Sequence, residues 1–164
     1  MAVTFDLFGT LVDVDRSVDP AAAVARELTD RGVRVPGDWA TAYGEAHVEV
    51  RPGREYPLPD HVRDALASRG VEADADDVRA AVRSAFDRPV TVRDGAVEAV
   101  GAATDRGPVG VLSNCSVPGL VERTLERSSL DAARFDAVVA SVDCGWRKPD
   151  TRAFEAVASA LDVA

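Results

Sequence analysis

Lysine is almost absent from this chain. Of 19 basic residues only Lys148 is a lysine and the rest are arginines, set against 28 acidic residues for a net charge of −9. So acidic a surface lacks the basic patch that a phosphate backbone requires, which argues against nucleic acid as a partner. Cysteine is scarce too. Cys115 and Cys144 are too few for a disulfide scaffold and lack zinc-ligand spacing, so a reducing cytoplasm is the expected location. No apolar run reaches membrane-spanning length, and no basic stretch precedes a hydrophobic one at the N-terminus. Neither a membrane partner nor a signal peptide is therefore expected. Internal repeats and low-complexity tracts are also missing.

What is present suffices for a core. With 46% hydrophobic residues over 164 positions, the chain fits one domain, or a compact core with a small inserted cap. An Asp-rich, Lys-poor surface suits a protein working in concentrated salt, where screening shortens electrostatic reach to about 3 Å at 1 M. The codon bias of a GC-rich genome would give the same composition. In either case the lone lysine stands out, because arginine would have served for generic surface charge.

Along the chain, Ala2 to Phe5 is a short apolar run that ends at Asp6 and a glycine turn, read as a brief buried strand. Four helices are expected next. The first spans Pro20 to Arg31, with Asp19 as N-cap and Gly32 as stop. The second runs from Trp39, capped by Asp38, to about Val50. A third opens at Asp60 and a fourth covers Asp76 to Phe86. Then the pattern alternates: helix Asp94 to Arg106, strand Val109 to Ser113, helix from Pro118 to about Arg127, strand Phe135 to Ser141, helix Thr151 to Leu161. Strand–helix alternation implies a parallel sheet. The expected organisation is a core of residues 1–14 and 90–164 with a helical cap at 15–89.

Parallel sheets present reactive groups at the carboxyl ends of their strands. Those ends carry Asp6, Ser113 with Asn114 and, one loop past the third strand, Lys148. A carboxylate can attack an electrophile to form an ester or acyl phosphate. A hydroxyl and an amide can hold an anionic group, and an ammonium offsets charge that gathers in the transition state. Trp39, Tyr43 and His47, four residues apart, read as a packing stripe or a pocket wall. His61 reads as a surface residue and the two thiols as inert.

The segments FDLFGTLVD (Phe5 to Asp13), VGVLSN (Val109 to Asn114) and RKPD (Arg147 to Asp150) resemble, in order and spacing, the first three motifs of the haloacid dehalogenase superfamily. The resemblance covers nearly the whole chain. It implies an α/β fold: a Rossmann-like parallel sheet with flanking helices and a small helical cap inserted after the first strand. It implies Asp6 as covalent nucleophile, Lys148 as its catalytic partner, and Ser113, Asn114, Phe8 and Thr10 around a small anionic substrate, either a phosphate ester or a 2-halo acid. Magnesium, held through Asp6, is implied for a phosphatase and no metal for a dehalogenase.

Two departures from the family pattern bear on activity. Phosphatases of the family carry a second Asp where this chain has Phe8, which can transfer no proton; aromatic residues there are typical of the dehalogenase branch. The cap arginine that dehalogenases use is not evident, although Arg51 and Arg54 lie near. The sequence also stops at Ala164, where the family's fourth, acidic motif and its strand would follow. With that strand missing, the strand bearing Asp6 is expected to be an exposed edge, open to self-association. Asp143 or Asp150 would have to substitute as metal ligands, and a non-catalytic relic that binds an anion or a protein is the alternative reading.

Overall fold

The computed structural model describes residues 1–15 and 18–163. Arg16 and Ser17, at the start of the expected cap, and Ala164, at the end of the expected core, lie outside the described residues.

Three parallel strands form the main sheet in the order β1 (Val3–Phe5), β4 (Val109–Ser113), β5 (Ala137–Ala140). The central strand, β4, is buried at all five positions, as a β-branched run flanked on both edges demands. Phe5 pairs with Val111, and Ser113 with Ala140, so the three strands end nearly level. β1 is an edge strand, paired only with β4 among the described residues.

Alternate side chains of β4 feed two cores. Val109 and Val111 join the larger cluster with Val100 of α5 (Ala96–Thr104) and Val121 and Leu125 of α6 (Leu120–Arg127). On the other face Leu112 packs with Ala153 and Val157 of α8 (Thr151–Ala160) and with Leu161. A Cβ on Gly110 would lie 3.1 Å from Leu161 Cδ1 and 3.3 Å from Val157 Cγ2, so glycine lets α8 approach the sheet closely.

Between the first two sheet strands lies the helical block: α1 (Pro20–Asp30), α2 (Trp39–Gly44), α3 (Leu58–Ala67) and α4 (Ala75–Phe86). As expected, Asp19 caps α1, accepting a 2.7 Å bond from Ala22 N. Several expectations need correction. The block is flanked by a two-stranded antiparallel ribbon, β2 (Val12–Val14) with β3 (Val90–Val92), that the residue pattern does not announce, because three-residue strands are too short for a periodic signal. α2 stops at Gly44 instead of running to Val50, and Asp38 makes no cap bond because its carboxylate takes Arg69 at 2.9 Å. Helix α4 is capped by Asp74, whose carboxylate accepts from Asp76 N and Asp77 N. The strand read as Phe135 to Ser141 ends early and turns into a one-turn helix, α7 (Ser141–Cys144). No helix among the described residues is long and apolar enough to cross a membrane.

Candidate active site

Asp6 is the residue after β1, and the chain turns back directly behind it. Leu11 N and Val12 N both donate to Leu7 O, at 2.9 and 3.1 Å, and Gly9 N donates to Val12 O at 2.7 Å. Gly9 holds φ at +82°, a left-handed conformation open to glycine at no steric cost, while a Cβ there would meet nothing within 4 Å. Conformation, not space, therefore fixes this glycine. The tight turn leaves the Asp6 carboxylate 39% exposed, with Thr10 Oγ1 at 3.5 Å from Oδ2.

Lys148 reaches this carboxylate from the loop between α7 and α8. Its Nζ donates to Asp6 Oδ1 at 2.7 Å and to Leu112 O at 2.5 Å. The backbone of Lys148 is held as well: Lys148 N donates to Asn114 Oδ1 at 2.8 Å, and Asn114 Nδ2 donates back to Lys148 O at 3.0 Å. This two-bond ring makes Asn114 act like one more rung of the sheet. Its amide is thus occupied in holding the lysine loop.

Ser113 ends β4 at 1% exposure, and its Oγ is the buried side-chain polar atom left without a hydrogen-bond partner among the described residues. A buried hydroxyl without a partner costs on the order of 1–3 kcal/mol. Such an atom marks a place where a ligand or water atom would be stabilised.

Phe8 and Asn114 line a cavity of about 440 Å³ between the sheet's carboxyl edge and the helical block. Its walls are largely apolar, with Val14, Leu58, Phe86, Val117 and Leu120 among them, and Arg88 adds a cation. Arg88, which follows α4, gives hydrogen bonds to two backbone carbonyls, Ala85 O at 3.1 Å and Asp15 O at 3.3 Å. Its contribution was not legible from the sequence, where it is one arginine of many.

The rings of the helical block do something else. Trp39 is buried and donates Nε1–H to Ala21 O at 2.8 Å. Tyr43 packs against it at a tilt, ring centroids 5.6 Å apart, and meets His61 edge-on at 5.5 Å, and His47 lies 5.7 Å from His61. None of these lines the cavity. His61 is half-buried, its Nε2 lying 2.7 Å from Tyr43 O, so the surface reading of this residue is corrected. Both thiols are free, and burial pushes that of Cys115 up to about 11. Arg54 lies over the Trp146 ring, 4.9 Å from its centroid, and does not line the cavity, nor does Arg51.

The donor set does not fit magnesium. Among the described residues no group of three or more His, Cys, Asp or Glu could hold a metal ion. Asp6 already carries an ammonium. The Asp150 carboxylate receives Arg152 at 2.9 and 2.8 Å, and that hydrogen bonding brings its pKa down to about 2. One shared carboxylate and a carbonyl fall well short of octahedral oxygen coordination.

The sequence profile of a hydrolase family, described as haloacid dehalogenase-like hydrolase, matches residues 1–164. Among solved structures the chain resembles L-2-haloacid dehalogenase from Xanthobacter autotrophicus at 25% identity and a TM-score of 0.57, over 99% of this chain and 65% of that one. It also resembles a predicted phosphoglycolate phosphatase from Haemophilus somnus 129pt, at 17% identity and a TM-score of 0.56, over 99% and 72% of the two chains. A protein described as a putative HAD-hydrolase from Bacillus subtilis, bound to magnesium, shares 19% identity, a TM-score of 0.52, and 96% and 72% coverage. The last two share the fold. The chain thus spans just under two thirds of the length of the Xanthobacter enzyme. No curated protein sequence gives a significant match.

Proposed function

The chain belongs to the haloacid dehalogenase-like hydrolases, and on that premise we propose that Asp6 is a covalent nucleophile acting on a small organic anion, with a 2-halo acid as the best-supported class. One observation carries this reading: the carboxylate is paired at 2.7 Å with the only lysine of the chain, beside a residue, Phe8, that has no proton to give. A leaving group that departs without a proton suits this arrangement. An alcohol leaving a phosphate ester would need one.

The reaction is a two-step displacement. Asp6 Oδ attacks C2, a C–O bond forms, the carbon–halogen bond breaks, and halide leaves with the bonding electrons. Water then adds to the Asp6 carboxyl carbon and the ester opens. The products are a 2-hydroxy acid, the regenerated carboxylate and one proton. Lys148 orients the carboxylate for attack and stabilises oxyanion charge as the ester is cleaved. Ser113 Oγ, buried and without a partner among the described residues, supplies a hydroxyl for the substrate carboxylate, and Arg88 supplies a cation from the wall of the adjacent cavity, which Ser113 itself does not line. The apolar walls, with Phe8 among them, enclose the carbon skeleton. In this reading the block 15–89 is the cap that closes the cavity.

The test compares the purified chain with Asp6→Asn in molar potassium chloride. A 2-chloro acid is offered without metal, and an aryl phosphate with and without magnesium. Halide release, with a mass increase on the protein equal to the acid minus HCl when stopped early, supports the proposal. Turnover that persists in Asp6→Asn would remove the mechanism. Phosphate release that requires magnesium would replace the substrate class.

A further inference from the structure

Among the described residues, the densest polar node lies next to the loop that carries Lys148 and is centred on Glu55. Its side chain is 2% exposed, although it carries a charge. Five hydrogen bonds reach its two oxygens. Oε1 accepts from Ser116 Oγ at 2.8 Å, Tyr56 N at 3.0 Å and Arg147 Nη1 at 3.0 Å. Oε2 accepts from Arg147 Nη1 at 2.8 Å and from Ser141 Oγ in a short bond. Ser141 Oγ in turn accepts from Cys115 N at 2.9 Å, and Arg147 Nη1 also reaches Ser116 Oγ at 3.1 Å.

These donors come from separate places. Ser116 lies two residues past Asn114, Ser141 opens α7, and Arg147 immediately precedes Lys148. Glu55 itself comes from the helical block, on the segment between α2 and α3. That segment is also tied down by its backbone: Arg147 N donates to Gly53 O at 2.8 Å, Glu55 N to Gly145 O at 3.0 Å, and Leu58 N to Ser116 O at 2.8 Å. Gly53 combines φ of +79° with a close approach, since a Cβ there would fall 2.5 Å from Asp150 Oδ2. Buried ion pairs stabilise a fold poorly compared with apolar residues of the same volume, yet leaving one partner unpaired is costly. What such a node provides is a fixed register among the segments it joins.

We infer that Glu55 is a positioning residue, the clasp by which the helical block holds the 114–116 and 145–148 loops so that Lys148 Nζ stays on Asp6. The inference deepens the reading of Asp6 and Lys148 above and rests on it for its catalytic consequence. Lys148 has two backbone restraints, the Asn114 ring on one side and Arg147 on the other. Without the Glu55 charge, the Arg147 guanidinium, already 41% exposed, turns to water, and the second restraint is weakened to the backbone bond from Arg147 N to Gly53 O. Glutamine cannot replace the carboxylate, because Arg147 Nη1 reaches both oxygens, so in either orientation the amide NH₂ would face it, donor against donor.

Because Lys148 is the only lysine, chain grown with ¹³Cε-lysine gives a single lysine signal that reports on the ammonium directly. The experiment compares wild type, Glu55→Gln and the milder Ser116→Ala by this signal, by thermal melting and by kcat and KM on the wild-type substrate. In folded Glu55→Gln the signal is expected to move toward that of a solvated lysine. Turnover, kcat, is expected to fall by about 10- to 100-fold with KM little changed, since misplacing a catalytic group by ~1 Å costs about that much. Ser116→Ala should shift the signal in the same direction by less, and it decides the matter if Glu55→Gln does not fold. An unchanged lysine signal in a folded variant would overturn the proposal, because a purely structural role lowers the melting temperature without moving Lys148. Should the wild type turn over neither probe, the hydrolytic reading fails, while the lysine signal still decides whether Glu55 positions Lys148.

Discussion

Replacing Lys148 with methionine removes the ammonium while keeping most of the stem's volume. Unit charges about 4 Å apart at an effective dielectric near 20 attract by about 4 kcal/mol. Asp6 is open to water over 39% of its side chain and Lys148 over 22%, so solvent screening reduces the effect. Taking about half leaves ~2 kcal/mol of attraction, which holds the carboxylate in place but, being present before the reaction, does not itself convert into rate. The ammonium also meets charge that appears only during reaction, and loss of one such preorganised donor costs about 10²- to 10³-fold. The expected fall in kcat/KM for Lys148→Met is therefore between about 100- and 1000-fold. Stability should respond less. Leu112 O loses the donor that sits at 2.5 Å, a penalty of ~1–3 kcal/mol, or about 2–10 °C in Tm at this chain length. The assay is initial-rate halide release at fixed potassium chloride, with melting followed on the same samples. A folded Lys148→Met variant whose kcat/KM stayed within about threefold of wild type would refute the reasoning, because no screening argument hides so large a charge effect.

Other outcomes follow from the same geometry. In the folded chain Cys144 should react with a thiol reagent at pH 8 while Cys115, buried and with its thiol pushed up to about 11, reacts only on unfolding; equal rates would contradict that burial. Asp87 accepts from Arg123 at 2.6 Å and also from Arg127, and its carboxyl is held below the usual range chiefly by the Arg123 hydrogen bond. A depressed folded pKa gives stability that is present above the ordinary carboxylate value of about 3.9 and lost as pH falls through the lowered one. Asp87→Asn should therefore melt below wild type at neutral pH, with the gap closing in acid, and a gap that widened on acidification would reverse the sign. Unreactive straight-chain carboxylates should bind the apolar cavity more tightly by about fourfold per added methylene, at ~0.8 kcal/mol each, until the walls are met. Calorimetry showing no dependence on chain length would argue against the cavity as the substrate's seat.

The sequence was legible where the signal is local. The β-branched run 109–113, the Asp19 cap and Pro20 at the first helical position all act within a few residues, and the structure follows them. The meeting of the strand ends was legible because a parallel sheet brings its carboxyl ends together whatever lies between, so Asp6 and Lys148 meet across 142 positions. Loops read less well. Gly44 ends α2 six residues before the expected stop because the apolar residues that follow, Val48 and Val50, stay exposed and bury nothing that would stabilise another turn, and β2 and β3 exist only through pairing with each other. Glu55 was invisible for a different reason. Its partners Ser116, Ser141 and Arg147 stand 61, 86 and 92 residues away, and nothing in its neighbourhood distinguishes it from the other acidic residues. The contrast has a physical basis. A motif advertises the residues that touch a substrate because they sit at fixed offsets from strand ends. The residues that hold those in place are selected by the third dimension, so only the folded chain reveals that the loop bearing Lys148 is fastened from the helical block.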